Sequence, residues 1–127
     1  MDKVDFKKKY KEIYAPSAKK PGIVNVPAFQ YAVLSGIGDP NTSKAFSDAI
    51  EALFGLSYTI SMSYKKDELI IPGFYNYTVP PIEGVWDTAD GKAFDKNKKD
   101  NLKWTIGIMQ PEFVTEDIFE EALDIAV

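Results

Sequence analysis

The chain has 127 residues, of which 45% are hydrophobic and 27% charged, a composition typical of a single globular domain. It contains no Cys, His or Arg, which excludes a cysteine nucleophile, a Ser-His-Asp triad, a Cys/His zinc site and an arginine finger. The formal net charge of −4 argues against nucleic acid as the main partner and favours neutral or cationic ligands.

The N-terminal arm, residues 1–21, is rich in lysine. Apolar residues recur at helical spacing over 2–14, which predicts a short amphipathic helix that ends at Pro16. No apolar signal-peptide segment follows this arm, and no apolar run is long enough to span a bilayer. We therefore expect a cytoplasmic protein without a membrane partner.

Residues 22–112 predict a strand, a helix and two further strands. The β-branched and aromatic residues of 22–34 indicate an edge strand that leads into a more central one. The main helix is predicted over 43–62, because good N-caps precede apolar residues at helical spacing. Gly55 inside this helix favours a close approach to a sheet.

Strand composition returns in the second half of the chain. Residues 74–79 and 82–86 predict strands separated by two prolines, and the polar stretch 87–101 predicts a surface loop. Residues 102–109 alternate strictly, so that one face of this strand belongs to the core covered by the helix.

The last predicted element is a helix over 115–127. Thr115 is a good N-cap, and Glu116 and Asp117 place negative charge in the first turn. The elements together predict one α+β domain, in which an antiparallel sheet of three to five strands carries the main helix on one face, with a C-terminal helix beside it.

Several stretches resemble the GyrI-like family of small-molecule-binding proteins. They are residues 36–41, 82–86 and 103–115, and the opening at 5–8 and 14–19 is similar as well. The resemblance covers nearly all of this chain but only the N-terminal part of a typical member. It implies one strand-helix-strand-strand module, called SHS2, where family members have two such modules with a ligand cleft between them.

The resemblance also implies a function. GyrI-like proteins bind bulky, planar, hydrophobic or cationic small molecules, as effector domains of multidrug-responsive regulators or as stand-alone proteins. Some members are hydrolases that open the strained ring of cyclopropanoid natural products. The family's central glutamate lies in the second module and has no matching position here. If the chain is complete, a homodimer of this single module would recreate the two-module cleft; if it is a piece of a longer protein, the same surface would pack against its own continuation.

Four aromatic residues are candidates for binding a ligand. Trp86 and Trp104 could stack on a planar cation, or both could be core aromatics. Gly84 would leave room for a flat ligand beside the Trp86 indole. Tyr58 and Tyr75 could supply phenol donors, or could cover the edges of the core.

Two carboxylates are candidates for chemistry. Glu83 is the candidate catalytic residue, as a general acid or base in ring opening, and Glu51 is the second candidate; a surface role is the alternative for Glu83. In a regular strand Glu83 points away from Trp86, unless a bulge redirects it. Other acidic residues fit no metal-binding spacing, so we predict neither a metal nor a cofactor.

Three functions therefore remain open from the sequence. The first is binding of a hydrophobic or cationic small molecule in an aromatic cleft, and the second is hydrolysis of a strained electrophilic ring. The third is a protein-interaction module, in which the lysine-rich arm docks a partner such as gyrase or a DNA-binding domain.

Overall fold

The structure is a computed structural model that describes residues 3–15, 18–20, 22–24, 26–65, 69–88 and 102–126. Its helices and strands are β1 (Val4–Asp5), α1 (Phe6–Lys9), α2 (Lys11–Tyr14), β2 (Gln30–Ile37), α3 (Lys44–Ser61), β3 (Tyr77–Thr78), β4 (Ile82–Thr88), β5 (Leu102–Gln110) and α4 (Glu116–Ala126), with a short 3-10 turn at Ser63–Lys65.

Within the described chain, β2, β5 and β4 form an antiparallel sheet with β5 at its centre. The pairing of β2 with β5 runs from Gln30 opposite Gln110 to Ile37 opposite Lys103, and β4 pairs along the other edge of β5. Neither register skips a residue, so side chains alternate regularly between two faces. The predicted α+β fold, with an antiparallel sheet, one main helix and a C-terminal helix, is confirmed.

Helix α3 covers one side of this sheet, which we call the helix face. The Ser43 hydroxyl accepts a hydrogen bond from the Phe46 amide at 3.3 Å and caps the helix, as its position predicted. Beneath the helix lie Trp104, Ile106 and Ile108, each at most 2% exposed. The alternation in β5 therefore predicted the core face correctly.

Helix α4 contacts α3 beside the sheet. Its predicted start is confirmed, since the Thr115 hydroxyl accepts a hydrogen bond from the Ile118 amide at 3.3 Å. The prediction for Gly55 is wrong: this residue is exposed, and a Cβ there would meet no atom within 4 Å. Open space, rather than a neighbouring sheet, surrounds this part of α3.

The remaining segments are less regular than predicted. The predicted helix over 2–14 consists of two single-turn helices interrupted at Tyr10, and β1 before them pairs in parallel with β3. Aromatic packing holds the N-terminal arm in place: Phe6 is 3% exposed, its ring stacks on that of Tyr10, and it packs at a tilt against the ring of Tyr77.

Two strand predictions also need correction. The described residues of 22–29 form no strand, and β2, which follows them, lies at the edge of its sheet. The prediction of an edge strand that leads into a central strand is therefore wrong. Pro27 lacks the amide hydrogen that a strand needs for pairing. The strand predicted over 74–79 shrinks to β3. Most of the predicted loop at 87–101, Pro16 and Val127 lie outside the described residues.

Candidate functional site

The side of the sheet opposite α3, which we call the open face, exposes apolar side chains. Val33 is 56% exposed, Ile37 59% and Val85 71%. The strand registers place all three on the side of the sheet that faces away from α3. In the described chain this face is covered at one end, where the N-terminal arm lies over Met109. An exposed apolar patch of this kind is typical of an interaction or ligand surface.

A cavity of about 340 Å³ lies on the open face. It is lined by Tyr31, Val33, Glu83, Gly84, Val85, Thr105, Ile106 and Gly107. Gly107 lies on the central strand, with Val33 and Glu83 opposite it on the two outer strands. A Cβ at Gly107 would lie 2.9 Å from a Val33 methyl carbon and 3.1 Å from the Ala32 carbonyl oxygen. A side chain at Gly107 would therefore crowd Val33, and its absence leaves the floor of the cavity free.

Glu83 and Tyr31 interact over this gap. Burial is the first cause that raises the pKa of Tyr31 above its ordinary value, and the second is the nearby negative charge of Glu83. The Tyr31 hydroxyl therefore stays protonated at neutral pH and is available as a hydrogen-bond donor beside the Glu83 carboxylate.

Tyr14, at the end of α2, lies over Met109 beside the Tyr31 end of the cavity, outside the cavity lining itself. Its hydroxyl donates to the Met109 sulfur at 3.6 Å, and Met109 lies opposite Tyr31 in the sheet. Burial, followed by the charges of Glu83 and Tyr31, raises the pKa of Tyr14 to about 12. One carboxylate and two protonated phenols thus converge beside an apolar surface.

Of the six predicted site residues, Glu83 is the one that lines this cavity. Trp104 is 2% exposed and packs edge-on against Phe46, with the ring centroids 5.1 Å apart. Trp86 also lies on the helix face and is 47% exposed; its ring centroid is 6.5 Å from that of Phe46. Since β4 has no bulge, Glu83 and Trp86 point to opposite faces, as a regular strand requires.

The prediction that Gly84 leaves room for a flat ligand beside Trp86 is wrong. The Trp86 indole itself lies over Gly84, and a Cβ added at Gly84 would collide with the six-membered ring of that indole. The protein's own side chain therefore fills the space that the sequence analysis assigned to a ligand.

The other three predicted residues lie elsewhere. Glu51 and Tyr58 are exposed on α3, and Tyr58 borders a separate cavity of about 250 Å³ beside Gly55. The Tyr75 hydroxyl donates to a Glu112 carboxylate oxygen at 2.8 Å. Burial and then this hydrogen bond raise the pKa of Tyr75. The structure does not gather the six predicted residues into one cleft.

Sequence reasoning missed Tyr14 and treated Tyr31 only as a strand residue. The period-two alternation of β2 was a usable signal for Tyr31, because it places this residue on the face opposite the core. No local signal connects Tyr14 with Glu83, since the contact depends on how the arm packs against the sheet.

Two properties of the described residues bear on other kinds of site. None of their helices combines the length and the apolar character needed to cross a membrane. The same residues contain no group of three acidic side chains placed to hold a metal ion.

Three solved structures from Listeria innocua are similar to this chain. One is an uncharacterized conserved protein with 37% sequence identity and a TM-score of 0.87. Two are hydrolases, with 35% and 38% identity and TM-scores of 0.82 and 0.86. No family model and no curated protein matches the sequence. Each alignment covers 98% of this chain, which spans only 58 to 59% of the length of those structures.

Proposed function

We propose that this chain is a GyrI-like module of the SHS2 type that binds bulky hydrophobic or cationic small molecules on its open face. The observation that carries the proposal is the cavity in which Glu83 lies among the apolar side chains of Val33 and Val85. The similarity to longer L. innocua structures supports it, because those proteins have further chain available for a second cleft wall.

The chemistry of the cavity suits an aromatic cation. Its volume of about 340 Å³ lies at the lower end of ligand pockets, which span roughly 300–1,000 Å³. Apolar side chains and the Tyr31 ring offer contact to a flat ligand, and the Glu83 carboxylate offers an ion pair. The net charge of −4 favours the approach of a cation.

A second wall would close this cleft. The open face is exposed in one copy of the chain, and two copies related by a two-fold axis would bring two such faces together. We therefore propose a homodimer as the binding form of this chain. A two-fold interface pairs identical surfaces, so the exposed apolar residues of the open face on one copy would meet the same residues on the other.

Binding of 9-aminoacridine, a planar cation at neutral pH, tests the proposal by fluorescence titration. We expect saturable binding, and a dissociation constant about ten-fold higher for Glu83→Gln, since the ion pair is lost while the side-chain shape is kept. Glu51→Gln removes the other candidate carboxylate, which lies on α3, and should change the constant less than two-fold. Absence of binding by the wild type, or equal effects of both substitutions, would contradict the proposal.

Hydrolysis of a strained electrophilic ring is the second candidate function. Two of the similar structures are hydrolases, and this observation favours it. In such a reaction the oxygen of water bonds to a ring carbon while the strained ring bond to that carbon breaks, and the electron pair of the broken bond moves onto the rest of the substrate. Glu83 accepts a proton from the attacking water, and the opened product takes up a proton in exchange. With a cyclopropanoid substrate, lost turnover but retained binding in Glu83→Gln would support this role. Unchanged turnover would remove Glu83 from the mechanism.

A further inference from the structure

The N-terminal arm holds Tyr14 in a defined place on the open face, over Met109 and next to Tyr31, which lines the cavity. Phe6 of α1 is 3% exposed in the core, and the Tyr10 ring packs edge-on against Phe29 with centroids 5.0 Å apart. These two anchors precede α2 and fix the arm against the sheet. The Tyr14 hydroxyl then lies 3.6 Å from the Met109 sulfur, next to Tyr31 and Glu83.

The hydrogen bond of Tyr14 is a weak one. A thioether sulfur is a poor acceptor, and the oxygen-to-sulfur distance here is 3.6 Å. A hydrogen bond from the Tyr14 hydroxyl to an oxygen acceptor would therefore be more favourable than its present hydrogen bond to sulfur. A ligand in the adjacent cavity is a source of such an oxygen.

The charges around Tyr14 restrict the kind of oxygen that fits. Burial and the nearby Glu83 raise the pKa of Tyr14 to about 12, so the phenol remains a donor throughout the neutral range. The Glu83 charge repels a second carboxylate at this position. A neutral carbonyl oxygen satisfies both conditions.

We infer that Tyr14 is a specificity-determining residue of the open-face site, where its hydroxyl leaves the Met109 sulfur and donates to a carbonyl oxygen of an aromatic ligand. This inference rests on the proposed binding function. The site then combines a carboxylate for cationic ligands with a separate phenol for ligands that carry a carbonyl group.

Two tricyclic probes of similar size separate these contributions. Acridone is neutral and has a carbonyl group, and 9-aminoacridine is cationic and has none. For Tyr14→Phe, which keeps the ring but loses the hydroxyl, we expect the dissociation constant of acridone to rise about five-fold, as for one lost neutral hydrogen bond. The constant for 9-aminoacridine should stay within two-fold of the wild-type value.

Two further variants control for changes in packing. Met109→Leu removes the competing sulfur at nearly constant volume, so acridone should bind at least as tightly as to the wild type. Tyr64→Phe removes the hydroxyl of a tyrosine that packs against Phe74, away from the cavity, and should leave both constants unchanged. Circular dichroism and thermal melting establish that each variant is folded.

The outcomes distinguish this inference from the proposed function. If 9-aminoacridine binds in a Glu83-dependent way but Tyr14→Phe leaves acridone binding unchanged, the inference falls and the proposed function stands. The inference also falls if acridone does not bind the wild type, or if Tyr14→Phe weakens both probes equally. If neither probe binds the wild type, the proposed function fails together with the inference.

Discussion

Three polar side-chain atoms are buried without a hydrogen-bond partner among the described residues: the Tyr77 hydroxyl, the Trp104 indole nitrogen and the Gln110 carbonyl oxygen. Tyr77 is 2% exposed, and its ring packs against the rings of Phe6, Phe74 and Phe113. A buried polar group without a partner costs about 1–3 kcal/mol. The Tyr77 ring therefore stabilises the core, while its hydroxyl opposes this contribution.

Replacement of Tyr77 by Phe should raise the free energy of unfolding by about 1 kcal/mol at pH 7. Urea denaturation measures this change, with Tyr64→Phe as the control for loss of a partly exposed hydroxyl. Lower stability of Tyr77→Phe would show that the hydroxyl has a partner that the described residues do not reveal.

The same variant should weaken the dependence of stability on alkaline pH. Burial raises the pKa of Tyr77 above its unfolded value of about 10, so the folded state binds this proton more tightly. The corresponding stability is fully present below pH 10 and is lost as the pH rises toward the folded pKa. Between pH 9 and 11 the wild type should therefore lose more stability than Tyr77→Phe.

Glycine has opposite roles in the strands and in the main helix. Gly36 in β2 lies opposite Trp104, and the buried indole occupies the place where a Cβ would project. Gly55 in α3 faces open space, so it weakens the helix without making room for a neighbour. The packing of strands and helix, rather than the residue type, decides what each glycine contributes.

Alanine substitutions at these two positions should change stability in opposite directions. Gly36→Ala should lower the free energy of unfolding by about 2 kcal/mol, because Trp104 is held beneath Phe46 and cannot shift freely. Gly55→Ala should raise it by about 0.5–1 kcal/mol through helix propensity alone. Urea denaturation of both variants is the test, and a neutral Gly36→Ala would contradict the observed packing of the indole.

In the whole molecule, the two faces of the three-stranded sheet differ in burial. The helix face is closed by α3 and holds Trp104 and Ile108 in the core, whereas the open face carries Glu83 among exposed apolar residues. The N-terminal arm crosses to the open face at Met109. The open face is therefore the surface that the proposed ligand and the proposed second copy of the chain would contact.

Light scattering over a concentration series tests the proposed homodimer. We expect a mass of about 28 kDa, twice the 14.2 kDa of one chain. Val33→Asp adds a negative charge to the open face across β5 from Glu83 and should shift the mass to that of a monomer, because buried like charges without a partner are costly. Ile70→Lys, at a site 80% exposed outside the sheet, should leave the dimer intact. A monomeric wild type at all concentrations would refute the homodimer.

Local sequence was sufficient for the elements whose interactions are themselves local. The N-cap at Ser43 and the following apolar periodicity predicted α3 to within one residue of Lys44–Ser61, and Thr115 predicted the start of α4. The alternation in β5 predicted which face is buried. Each signal arises between residues a few positions apart, so it is readable before any tertiary contact is known.

The composition of the candidate site was decided by tertiary structure. Glu83 was predicted from its chemistry, but its association with Tyr31 depends on both strands pairing with β5 in registers that place Gly107 between them. Tyr14 joins them only because the arm packs on aromatic residues that are distant in sequence. Side chains so far apart along the chain meet through strand register and core packing, and no local pattern encodes that meeting.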